Sequence, residues 1–160
     1  MQDKLKYKTV WTVNKYHTDD DYQNGAEPYE TIVKEGNVLL NEGIALLWDL
    51  GIAAGGTAWD NTNANLGVGD SATAANATQT ALQAAANKLY KGMEATYPQR
   101  TAQTVRWRSA FTDAEANFAW EEVTVANANS DAGTNLNRAV QSLGTKASGT
   151  WTLDLDITLS

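Results

Sequence analysis

From Thr150 to Leu159 the chain alternates without a break. Trp151, Leu153, Leu155, Ile157 and Leu159 fall on one side, and Thr150, Thr152, Asp154, Asp156 and Thr158 on the other. A period of two is the mark of a half-buried antiparallel strand, one face in a core and one in water. The stretch Leu5 to Val13 repeats the pattern, with Leu5, Tyr7, Thr9, Trp11 and Val13 set against Lys4, Lys6, Lys8, Val10 and Thr12. Its lysines predict either an edge strand guarded by charge against edge-to-edge pairing, or a basic arm that docks on an acidic partner. An N-terminal arm or edge strand is therefore expected within residues 1–30.

Between Glu35 and Gly56 the period changes to that of a helix. Asn41 is a candidate N-cap, Glu42 adds charge to the first turn, and Gly55-Gly56 is a stop. Ile44, Leu47 and Trp48 fall at i, i+3 and i+4, which predicts one amphipathic helix near residues 38–54 with its Trp48 stripe in the core. Beyond it, Trp59 to Asn65 reads as a loop and Leu66 to Asp70 as a short strand and turn. Thr80 to Tyr97 reads as a short helical turn, then a strand entering Pro98.

Val105, Trp107 and Phe111 alternate with Arg106 and Arg108, and after Thr112-Asp113 comes a second run, Phe118 to Val125. The two runs predict a hairpin with Arg106 and Arg108 facing Glu121 and Glu122 across a solvent-side ladder. Leu136 to Leu143 and Thr150 to Leu159 supply the last two strands, joined by a turn at Gly144 to Gly149. The expected fold is α+β, mainly β: an antiparallel β-sandwich with one amphipathic helix, in a single domain over residues 1–160.

Composition narrows the chemistry. Cysteine is absent and His17 is the only histidine, so a Cys/His zinc site cannot be assembled within the chain, and any Ser-His-acid arrangement would have to use that single imidazole, which disfavours most hydrolase readings. His17 precedes Asp19-Asp20-Asp21, a run that reads as a solvated turn more readily than as a cation site. Asn127 to Gly133 imitates a calcium loop, but its glycine comes one residue late and Arg138 stands where the closing glutamate belongs. No metal and no cofactor is expected, and no enzyme activity. The net charge of −7 repels phosphate backbones, so nucleic acid is a poor partner. No stretch reaches the roughly 18 apolar residues of a membrane span, and no membrane partner is expected.

The succession Leu39 to Leu47, Gly67-Val68-Gly69-Asp70, Gln79-Thr80-Ala81-Leu82, Asn117 to Glu122 and Leu136-Asn137-Arg138 resembles the N-terminal module of tailed-phage tail-collar fibre proteins. The likeness covers roughly residues 37 to 140. It implies a virion protein whose partners are phage capsid or tail proteins. Because a strand follows the module where a fibre would continue into a repetitive shaft, the resemblance points to capsid decoration more than to a complete fibre. It also implies a homo-oligomer, with a trimer the natural choice.

Six tryptophans and six tyrosines support association, since aromatic side chains concentrate at interfaces. The interface expected from the sequence is the lysine-lined strand, Lys4, Lys6, Tyr7, Lys8 and Trp11. A tail fibre or baseplate attachment protein, or a carbohydrate- or receptor-binding module that stacks sugar rings on exposed aromatics, is the alternative.

Overall fold

The computed structural model describes residues 5–160. Two antiparallel five-stranded sheets pack against each other, with two helices, so the mainly β sandwich expected from the alternation is the architecture observed. The elements run β1 (Tyr7–Lys15), α1 (Asp19–Gln23), β2 (Glu30–Glu35), β3 (Val38–Leu39), α2 (Asn41–Gly51), β4 (Asn65–Gly69) and β5 (Lys88–Gly92). They continue as β6 (Gln99–Thr101), β7 (Thr104–Phe111), β8 (Glu122–Ala126), β9 (Asn137–Val140) and β10 (Trp151–Leu159). The first sheet has the order β2-β1-β10-β7-β6 and the second β3-β9-β8-β4-β5.

β10 is the central strand of the first sheet, paired with β1 from Tyr7↔Leu159 to Lys15↔Trp151 and with β7 from Trp151↔Phe111 to Thr158↔Thr104. This register puts Trp11, Val13, Leu153, Leu155 and Trp107 on the inner face, where they meet Leu66, Val68, Val123 and Val125 of the second sheet. β1 is also an interior strand, because β2 pairs along its other side from Val10↔Glu35 to Lys15↔Glu30. From Val10 to Lys15 the expected edge strand is thus corrected to an interior one, while the start of β1 that carries Lys8 lies beyond the β2 register and pairs with β10 alone.

The polar side of β10 is not the solvated face that its alternation predicts. Thr152 and Asp154 are buried, and Arg108 and Arg106 on β7 lie directly opposite Asp154 and Asp156. Arg108 Nε and Nη2 donate to the two Asp154 oxygens at 2.7 and 2.6 Å, and Arg106 makes the same fork on Asp156 at 2.7 and 2.6 Å. Paired in this way, a carboxylate can leave water at a cost its hydrogen bonds offset.

The expected hairpin of β7 and β8 does not form. β7 belongs to the first sheet and β8 to the second, and the connection crosses the sandwich. Phe111 and Trp120 at its two ends meet edge to face with centroids 4.8 Å apart, and Trp120 meets Trp151 at 5.1 Å. The crossing buries three large rings, which a tight hairpin would have left on one sheet. Glu121 and Glu122 accordingly do not face Arg106 and Arg108.

The helical turn expected after Thr80 is also absent, and residues 70–87 cross the outer face of the second sheet as an irregular strap. Glu122 on β8 accepts the N–H groups of Gln83 at 2.8 Å and Ala84 at 2.7 Å. Those donors would otherwise be free to serve a helix. Beneath the strap, Gly69 leaves the room that the Glu122 side chain fills: a Cβ there would collide with Glu122 Oε1. Arg138 on β9 completes the anchor, with Nε donating to Glu122 Oε2 at 2.7 Å and Nη1 to Gln79 Oε1 at 3.0 Å. The strap's carbonyls are tied as well, Ala77 O to Asn41 N and Thr80 O to Asn135 Nδ2.

Candidate interaction surface

The second helix, α2, packs on the sandwich through a different face from the one its periodicity suggests. Its buried residues are Gly43 and Leu46. Gly43 is required by close approach, since a Cβ would sit 2.5 Å from Leu136 Cα and 2.7 Å from Asn135 O. Leu40, not Asn41, occupies the N-cap position and makes no side-chain cap, while Glu42 Oε1 accepts Asn135 N–H at 2.6 Å. With Gly43, Leu46 and Leu50 turned inward, Ile44, Leu47 and Trp48 are turned outward. The expected core stripe is therefore corrected to an exposed one, Trp48 being 70% and Ile52 71% exposed.

A cleft of about 130 Å³ opens beside this face, where α2 and β3 meet the first sheet. Leu39, Leu47, Val105, Trp107, Ile157 and Leu159 are among its walls, and its lining is almost wholly apolar. Leu47 belongs both to the exposed face of α2 and to the cleft, so apolar surface runs from Trp48 and Ile44 into the sandwich. Apolar surface of this extent in water is unfavourable by roughly 25 cal/mol per Å². Exposed apolar surface beside a preformed apolar cleft is the kind of surface that interaction sites on proteins commonly present.

The residues expected at an interface from the sequence separate into four groups. Lys4 lies outside the described residues. Lys6 and Lys8 are exposed; Lys6 N–H donates to Ser160 O at 2.6 Å, and Lys8 Nζ pairs with Glu35 at 2.8 Å. Tyr7 is half-buried, lines the apolar cleft, and donates its hydroxyl to Asn37 Oδ1. Trp11 has no exposure at all and is a core residue, a correction that follows from its side chain facing inward between the two sheets. The sequence reading missed Leu47, Trp48 and Ile52 as surface. The available signal was Gly43, because a glycine inside an otherwise good helix marks the face that must approach another backbone.

The other polar groups that the sequence singles out as candidates for metal binding or pH-sensitive contact have partners within the fold. His17 stacks on Tyr29 with centroids 4.2 Å apart. Thr18 caps α1 by accepting Asp21 N–H at 3.0 Å, so the acidic run forms the first turn of a short helix, where negative charge is favoured. In the loop that imitates a calcium site, Asp131 accepts from Lys88 and from the Tyr90 hydroxyl. Burial alone would raise the Asp131 carboxyl, but those two donors hold it below its ordinary value. Lys146 is buried, with Nζ donating to Thr112 O at 2.7 Å and Asn117 Oδ1 at 2.9 Å, and the loss of water pushes its ammonium down. Among the described residues no three His, Asp or Glu side chains gather to hold a metal ion. Among the described residues no helix is long and apolar enough to cross a membrane.

Comparison of the chain with protein-family models, with curated proteins and with solved structures finds no match.

Proposed function

We propose that this chain is a non-enzymatic structural protein of a tailed-phage particle, decorating the capsid and associating with copies of itself through the apolar face of α2. The observation that carries the self-association is the continuity of Ile44, Leu47 and Trp48 with the apolar cleft lined by Leu159 and Val105. An anchor of this kind, a tryptophan on a helix beside a preformed apolar cleft, has the composition of an interface centre. The virion assignment rests on the sequence resemblance to the phage fibre module and on the ordering of its motifs.

Two measurements test the two halves of this reading. Light scattering at micromolar concentration in moderate salt should give a small closed oligomer, a trimer in the simplest case, and Trp48→Asp should shift it to monomer. A wild-type monomer would remove the self-association. Quantitative mass spectrometry of purified particles should find the chain in a copy number proportional to the major capsid protein. A few copies per particle would move it to the tail.

A further inference from the structure

On the outer face of the first sheet, the register brings β6, β7 and β10 into a polar groove of about 260 Å³ lined by Tyr97, Gln99, Thr101, Thr104, Arg106 and Asp156. Gln99 lies opposite Arg106, and Arg106 opposite Asp156, so these three side chains form one row across three strands. Thr101 lies opposite Thr104 in the next row, and Thr104 shares a 2.6 Å hydrogen bond with Thr158. Tyr97 closes the end of the groove. Its ring is held by the Arg108 guanidinium, whose carbon lies 4.9 Å from the ring centroid. The groove shares no residue with the apolar cleft.

We propose that this groove binds a neutral sugar ring. Size is the first argument. Sites for drug-sized ligands occupy roughly 300–1,000 Å³, so this groove suits one pyranose and is too small for a dinucleotide or other large cofactor. Charge is the second. Arg106 and Arg108 are matched by Asp154 and Asp156 through two-pronged pairs, and the four groups sum to zero. An anionic ligand would find no uncompensated cation here, whereas a hydroxyl is not penalised.

Hydrogen-bond inventory is the third argument. Arg106 has five N–H donors and gives one each from Nε and Nη2 to Asp156, which leaves donors free; its Nη1 stands 3.9 Å from Asp154, beyond hydrogen-bond range. Each Asp156 oxygen retains acceptor capacity, and the Gln99 amide, using Nε2 for Thr96 at 3.0 Å, keeps its carbonyl oxygen and one N–H. Free donors and free acceptors thus alternate along a single row, the arrangement that neighbouring sugar hydroxyls satisfy because each hydroxyl both donates and accepts. Tyr97 adds the fourth element, an aromatic ring with a polar tip against which the C–H face of a pyranose can pack. Strand pairing fixes the spacing of these residues, Gln99 and Thr101 along β7 and Asp156 at the centre of the sheet.

The test is an NMR titration of the isotope-labelled full chain with glucose, galactose, mannose and N-acetylglucosamine, beside N-acetylneuraminic acid and inorganic phosphate as anionic controls. The expected result is a saturable shift of the Gln99, Thr101 and Arg106 signals by at least one neutral sugar. Gln99→Ala, an exposed edge substitution that leaves the core intact, and Tyr97→Leu should each weaken that binding by about tenfold or more. The proposal is overturned if none of the four sugars moves the groove signals. It is equally overturned if only the anions do, or if the response survives unchanged in Gln99→Ala.

Discussion

Arg138 and Glu122 form an ion pair in which neither side chain has any exposure, and it lies between the second sheet and the strap that covers it. Glu122 accepts from Arg138 and from two strap N–H groups, so a single carboxylate fastens residues 79–84 to β8 and β9. Removing one partner of a buried pair strands the other charge, which typically costs about 3–5 kcal/mol. Arg138→Met should therefore lower the melting temperature strongly and speed amide exchange at Gln83 and Ala84. Lys8→Ala, which breaks the exposed pair with Glu35, should cost no more than about 1 kcal/mol. Equal losses for the two variants would show that the strap is held by something other than this pair.

Gly43 sets the distance of α2 from the second sheet. An added methyl would overlap Leu136 Cα and two backbone oxygens, and backbone cannot swing aside as a side-chain tip can. Gly43→Ala should destabilise by about 1–3 kcal/mol in spite of alanine's better helix propensity, and Ala45→Gly on the exposed side should cost only about 1 kcal/mol. Chemical denaturation of both variants measures the contrast. A stabilised Gly43→Ala would mean that the helix is free to retreat.

Leu155 sits at the middle of β10, opposite Trp11 on one side and Trp107 on the other, and is fully buried. Its truncation to alanine leaves a cavity between two indole rings that cannot both close in. The expected loss is about 2–5 kcal/mol. Thermal melts of Leu155→Ala beside Leu159→Ala, a residue partly open to water at the strand end, should place the former far lower.

Acid should loosen the connection between β7 and β8 through Glu115. Burial alone would raise this carboxyl, but Lys91, at 2.7 and 2.8 Å, and the Thr112 N–H outweigh it and hold it below the ordinary 4.5. Between the lowered and the ordinary value the unfolded chain binds more protons, so stability rises with pH across that window. The contribution is complete above 4.5 and disappears as pH falls through the lowered value. Denaturant midpoints followed from neutral pH down through the carboxylate range should fall, and Glu115→Gln should flatten that part of the curve. A parallel decline in the variant would assign the acid loss to other groups.

The parts of the fold legible in the sequence are those where one face meets the core and the other meets solvent or a directly opposed partner. β10 and β1 announce themselves by alternation, and the mainly β sandwich follows from them. The strap was not legible because its partner, Glu122, lies some forty residues further on, and no local pattern reports a carboxylate that takes two backbone donors. The split of β7 from β8 was hidden for a similar reason: a hairpin and a crossing between sheets both read as strand, turn, strand. The orientation of α2 depended on one glycine outweighing three large apolar residues, a contest settled by backbone contact. The polar groove is a product of register, since Gln99, Arg106 and Asp156 become neighbours only when three strands are laid side by side.

The pairing of β1 with β10 has a consequence for how the molecule is made. Nine residues of the first strand are zipped to nine of the tenth, with every element between them in chain order. On the ribosome, β1 emerges early with Trp11 and Val13 facing water and only β2 to pair with. The inner face of the first sheet cannot assemble until the tenth strand, the last of these elements to be synthesised, has cleared the exit tunnel. Contacts so distant along the chain make closure slow. The nascent chain therefore waits with a half-built sheet whose apolar face stays open to water until β10 arrives.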